Sequence, residues 1–223
     1  MTEPLSPLSL QLKVLLRDVH PAVWQRVTLS DALSITDLHR VIQLVMGWDD
    51  DHLHRFRIHG RDYGLAYTGG PSFRKQAAAV PLSRFRFRPM ERFLCEYDFT
   101  DGWQIDVRVE KVTQPGSGPT YPVCIAGQEP SPPDGCGGPW IYAERRREAF
   151  GWEMADDMEA VGSVLRRVSG RDPTVLDDPY ERSDFEQAVS RLKGREPFLS
   201  DRFERAVVNT ALRQAFTAAR RSP

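Results

Sequence analysis

At 223 residues, with 40% hydrophobic and 27% charged side chains, the chain has ordinary globular composition and enough length to bury a core without disulfides or metal. Its 30 basic and 31 acidic residues give a formal charge of −1, which excludes a global attraction to nucleic acid and leaves only local patches. Three sparse cysteines, no basic-then-apolar start over residues 1–9 and no apolar run near the roughly 20 residues of a membrane span set the expectation of a cytoplasmic chain with no membrane association.

The first predicted element is a hairpin. Leu10, Leu12, Val14 and Leu16 alternate with Gln11, Lys13 and Arg17, Asp18-Val19-His20-Pro21 supplies turn chemistry, and Val23 to Leu29 returns. A helix is predicted over 35–46: Ser34 caps it, Asp37 stands at the third position of a capping box, and Leu38, Val41, Ile42, Val45 and Met46 share one face. Gly47 suits the left-handed residue that ends such a helix. His52 to His59 reads as extended, Gly60-Arg61-Asp62 as a turn, and 66–80 as a loop or weak helix around Gly69-Gly70-Pro71.

A second hairpin is predicted from Phe93, Cys95, Tyr97 and Phe99, a turn at Asp101-Gly102, and Trp103, Ile105, Val107 and Val109. From Gln114 to Pro139 proline and glycine accumulate, and little regular structure is expected. After Tyr142 the pattern turns helical, with helices expected over Glu153 to Val168, from Ser183 with Glu186 closing a capping box, and from Asp201 to about Arg220. Strands first and helices later imply an α+β fold. The expected architecture is a mixed or mostly antiparallel sheet over 8–142 with helices on one face, and a helical C-terminal extension over 143–223 packed on the same domain.

Four stretches, in order and spacing, carry a resemblance. They are His20-Pro-Ala-Val-Trp24-Gln-Arg26, Val45-Met-Gly-Trp48-Asp-Asp-Asp-His52-Leu-His54-Arg-Phe56, Tyr97-Asp-Phe-Thr-Asp-Gly-Trp103, and Tyr121-Pro-Val-Cys-Ile-Ala-Gly127 leading to Pro132-Pro-Asp-Gly-Cys136-Gly-Gly138. Over roughly residues 10–142 the chain resembles the plasmid pRiA4b ORF-3-like family. The resemblance implies a curved sheet with the first helix packed across it, and a setting on plasmids, insertion sequences and chromosomes. It carries no catalytic residue with it. Thr100 stands where that family usually has glycine, Asp134-Gly135 where it usually has Glu-Asp, and Ser131 where a further cysteine is common.

Several constellations have a chemical and a structural reading. His52 and His54, two apart on a strand, would share a face and reach one metal or substrate, with Asp98, Asp101 and Cys136 as further ligands. The structural reading makes them hydrogen-bonded core histidines, since no C-x-x-C or H-E-x-x-H spacing is present. Asp98, Asp101, Glu129 and Asp134 suit a cation cluster; the structural reading, which the turn chemistry favours, gives Asp101 a tight hairpin turn with Gly102 and Asp134 a place in a Pro/Gly loop. Cys124 and Cys136 suit a redox pair or buried thiols. If extended, Ser83 to Arg88 places Arg84, Arg86 and Arg88 on one face, for a phosphate backbone extended by Arg145-Arg146-Arg147 or for a solvated edge. Trp24, Trp48, Trp103 and Trp140, with Tyr97 and Tyr142, line a pocket or fill a core.

There is no phosphate-binding G-x-x-x-x-G-K-[ST], no dinucleotide G-x-G-x-x-G, no G-x-S-x-G and no serine-recombinase pattern. The expected function is a non-enzymatic accessory or binding protein of plasmids and mobile elements, needing no cofactor, with protein or nucleic acid as partner. The expected binding residues are His52, His54, Tyr97, Asp98, Asp101, Trp103 and Cys136, with Arg84, Arg86 and Arg88 for nucleic acid. The alternative is a hydrolase or nuclease holding a divalent metal through the His/Asp cluster.

Overall fold

Strict alternation of apolar and polar residues decides which side of each strand meets the core. In the computed structural model, which describes residues 6–64, 80–115, 121–170, 172–199 and 202–218, β1 (Ser9–Leu16) buries Leu10, Leu12, Val14 and Leu16. It pairs antiparallel with β2 (Trp24–Ser30) through the predicted turn, so that Leu12 faces Val27 and Leu10 faces Leu29. The other strands are β3 (His54–Ile58), β4 (Arg61–Gly64), β5 (Arg92–Tyr97), β6 (Trp103–Thr113) and β7 (Val123–Gln128). They form one open sheet in the order β4-β3-β5-β6-β1-β2-β7, with every pair antiparallel. The fold is α+β.

Only one face of the sheet is apolar. The other carries a lattice of ion pairs, among them Arg17–Asp106, Arg26–Glu110 and Arg55–Glu96. Trp24 belongs to this outer face, with Lys13 and Arg26 over its ring. Helix α1 (Ile35–Met46) packs on the apolar face and buries Ile35, Leu38, Val41, Ile42, Val45 and Met46. Its capping box closes at both ends, Ser34 Oγ accepting from the Asp37 amide and Asp37 accepting from the Ser34 amide. Such a cap contributes about 1 kcal/mol. Gly47 ends the helix in the left-handed conformation.

Several sequence expectations change. The connection between β5 and β6 is a loop from Asp98 to Gly102 rather than a tight turn, because Asp98 already has φ 48° and Phe99 turns out to solvent. The segment of Arg84, Arg86 and Arg88 is not a strand: Leu82–Phe85 is a 3-10 turn, and Arg86 is left-handed. The Pro/Gly-rich stretch contains β7, held to β2 across a bulge. The expected loop at 66–79 lies outside the described residues.

The chain divides into two compact units, 1–139 with 202–223, and 140–201. In the first, α5 (Arg205–Ala218) lies against β7 and beside α1. Asn209 holds the backbone of Cys124 by both its amide and its carbonyl, at 2.8 and 2.9 Å. The Phe203 ring packs directly on Gly127, in the space a Cβ there would enter. The second unit contains α2 (Gly138–Ala149) from its third residue on, α3 (Trp152–Ser169) and α4 (Pro179–Leu199). Helix α4 begins earlier than the Ser183 cap suggested, with Asp178 accepting from the Tyr180 amide at 2.8 Å. Helices α3 and α4 pair around buried Asp157, which Arg191 and Arg195 clamp. Among the described residues, no helix is long and apolar enough to cross a membrane.

Candidate functional site

The histidine pair predicted to share a strand face is split. Strand β3 begins only at His54, so His52 sits in the preceding bend, its Nδ1 3.7 Å from Asp98 Oδ2. His54 turns into the core, 4% exposed, under α1. Its ring stacks on that of His39, with centroids 3.4 Å apart and planes within 12°. His39, 2% exposed, comes from α1 and donates from Nε2 to Asp50 Oδ1 at 2.6 Å, since an ionised carboxylate only accepts. That bond holds the Asp50 carboxyl below its usual range. Burial first, and the neighbouring His39 second, push His54 down to about 3, so it is a neutral imidazole.

This cluster leaves polar atoms unpaired. His39 Nδ1, His54 Nε2 and the side-chain amide of Gln43, one turn further along α1, are buried without a hydrogen-bond partner. An unsatisfied buried group costs roughly 1–3 kcal/mol. Among the described residues, His39, Asp50 and His54 are the one group of three metal-ligating side chains whose ligand atoms lie within 4.8 Å of one another. Sequence reasoning passed over His39 and Asp50. The signal for His39 was its place on α1, three residues before Ile42 and four after Ile35, where a polar side chain meets the core.

The family-like segments meet beside this cluster. Trp48 stacks on Tyr97 at 4.9 Å and lies 5.7 Å from Trp103. Its Nε1 donates to the Pro132 carbonyl at 2.9 Å, which brings the 131–138 loop over the end of the core. Asp134 Oδ2 accepts from the Tyr97 hydroxyl at 2.9 Å and from the Asp49 amide at 3.0 Å. Burial, and then Asp134, raise the Tyr97 hydroxyl well above the usual phenol range. Asp101 accepts from the Gly137 amide at 2.8 Å, and buried Asp98 accepts from the amides of Thr100 and Asp101. Tyr97, Asp98, Trp103 and Cys136 are all buried at this end of the sheet unit. Chemically, the loop carboxylates are engaged by amide donors that shape the turns.

The remaining candidates lie elsewhere. Arg84, Arg86 and Arg88 are exposed, while Phe85 and Phe87 between them are buried against Tyr63 and Phe93. Arg145 and Arg146 belong to the helical unit, where they meet Phe198 and the Tyr142 hydroxyl. Cys124 is a buried thiol whose ionisation burial pushes up, which leaves it a poor nucleophile.

The helical unit carries a different feature. Seen along α3, Asp157 and Val164 are buried, whereas Met158, Leu165 and Val168 on the adjoining arc are exposed. The apolar arc is wider than α4 covers. Trp152 at 90% exposure, Tyr180 at 83% and Trp140 at 80% belong to the same unit, as does Phe150.

Comparison with known proteins gives three concordant matches. The plasmid pRiA4b ORF-3-like protein family matches residues 9–164. Uncharacterized protein y4hQ of Sinorhizobium fredii (strain NBRC 101917 / NGR234) is 33% identical over 173 residues, which span 71% of this chain and 88% of that protein. The crystal structure of MM3350, a protein of unknown function from Methanosarcina mazei Go1, superposes with a TM-score of 0.57 at 27% identity, covering 90% of this chain and 93% of that one.

Proposed function

This chain belongs to the plasmid pRiA4b ORF-3-like family, and from that premise we propose that it is a non-enzymatic accessory protein of mobile elements that binds a protein partner through its helical unit. The observation that carries the reading is the uncovered apolar arc of α3, with Met158, Leu165 and Val168 exposed. Soluble surfaces seldom leave aromatic and methionine side chains this open unless they are covered by another molecule, and these are the residue types enriched at protein interfaces. Residues 140–201 contain more Asp and Glu than Lys and Arg, which opposes phosphate binding and favours a protein whose apolar patch has a basic rim. The plasmid in the family's description supports the mobile-element setting.

The carboxylates of the motif segments point the same way. Asp98, Asp101 and Asp134 hold backbone amides and a tyrosine hydroxyl, roles that build a loop rather than a hydrolytic centre. The test is affinity capture with the full chain and with a Met158→Glu/Leu165→Glu chain of matching circular dichroism. A protein retained by the first and lost from the second supports the reading. Retention indifferent to the substitutions, or salt-sensitive capture of DNA instead, contradicts it.

A further inference from the structure

We infer that Arg92, Arg108 and Lys13, on the polar face of the sheet, form a binding site for one oligophosphate anion, a free triphosphate or that of a nucleotide. The strand register carries this independently of the partner surface on α3. Arg92 on β5 stands directly opposite Arg108 on β6, and Arg108 directly opposite Lys13 on β1. Lys13 in turn faces Arg26 on β2. Neighbouring strands lie about 4.8 Å apart, so one line of cations crosses four strands. Like charges set directly opposite destabilise a sheet. Elsewhere on this face opposite charges meet, as Arg55 with Glu96 and Arg57 with Asp62.

Ion pairing does not neutralise the row. Arg26 is taken by Glu110, and the neighbouring Asp106 by Arg17. Among the described residues, no carboxylate lies within ion-pair distance of Arg92, Arg108 or Lys13. Arg108 donates instead to the Met90 thioether, a weak acceptor, at 2.7 Å, and its Nε is buried without a partner. The Lys13 ammonium rests 4.6 Å from the centre of the Trp24 ring. Phosphate oxygens supply what the row lacks, since guanidinium forks match them bidentately and an ammonium adds a point charge. The extent of the row sets the size of the ligand. From Arg92 to Lys13 it spans two strand spacings, roughly 10 Å. Beyond it the arginines are already paired, Arg26 on one side and Arg55 and Arg57 on the other. A nucleic-acid backbone draws its affinity from many phosphates along a long track, whereas three adjacent cations suit a short chain of them. Trp24 lies beside the Lys13 end, where a nucleotide's base would stack.

The test titrates the full chain calorimetrically with sodium tripolyphosphate and with ATP, at about 10 mM salt, where screening is weak. The result expected is one anion per chain, with affinity falling as salt rises. Lys13→Gln and Arg108→Gln, each folded by circular dichroism, weaken binding at least about threefold, as does Arg92→Gln. Arg57→Gln binds as the unchanged chain does, because that side chain shares the face but lies outside the row. Equal affinity for the two anions identifies the phosphate chain alone as the ligand, and an ATP advantage lost in Trp24→Leu identifies a nucleotide. No uptake overturns the assignment. Several anions per chain, or affinity unmoved by Lys13→Gln and Arg108→Gln, means an adventitious ion only and overturns it too. So does a single-stranded oligonucleotide that binds far more tightly than tripolyphosphate.

Discussion

Gly138 has φ 84°, and a Cβ there would overlap the backbone carbonyl of Asp101. The same approach brings Gly137 within reach of the Asp101 side chain. A Gly138→Ala chain therefore combines left-handed strain with a clash against backbone, which cannot swing aside. It should lose about 1–3 kcal/mol of stability, read as a lowered midpoint in urea or thermal unfolding. Gly135, also at positive φ but with open space around it, should tolerate the same change better. At this scale the sequence was legible in part. Asp101 and Asp134 were read as turn and loop residues, because that preference is local, whereas Asp98 was read as part of the strand and instead opens the loop. Their distant partners, such as Tyr97 for Asp134 across 37 positions, depend on how the loop returns to the sheet. His39 was missed for a related reason: its role depends on which strand α1 crosses, and helical periodicity alone does not report that.

Between α3 and α4, Asp157 is buried and accepts from Arg191 at 2.7–2.9 Å and from Arg195. The Arg191 hydrogen bond chiefly, with Arg195 assisting, holds its carboxyl below the ordinary 3.8. A carboxyl with a depressed native value stabilises the fold fully above its unfolded value and loses that contribution as pH falls through the native one. Asp157→Asn should thus lower the melting temperature near neutrality. The gap to the unchanged chain should hold above about pH 3.8 and close as acidification proceeds below it. Melting curves of both chains across that range check the sign. A gap that widens below pH 3.8 would contradict it.

The elements themselves separate by how local their signals are. The β1–β2 hairpin, α1 and the strands of β5 and β6 were readable, since period, caps and turn residues agreed. Strand β7 was hidden, because proline and glycine at both its ends outweighed six residues whose strand character comes from pairing with β2. The Arg84–Arg88 alternation failed for the opposite reason. Its buried phenylalanines and exposed arginines are real, but Arg86 adopts a left-handed turn instead of an extended strand.

Taken whole, the molecule is a seven-stranded sheet unit with α1 and α5 on its apolar face, and a separate helical unit of α2 to α4. The sheet unit spends its family-like motifs on its own architecture, and it holds the histidine pair under α1. The helical unit exposes the apolar arc on which the binding account rests. The measurement that meets this account most directly is residue-level footprinting of the full chain, alone and with its captured partner. Protection concentrated at Met158, Leu165 and Val168 is the predicted result. Unchanged reactivity along α3 with protection at Arg84, Arg86 and Arg88 would contradict it.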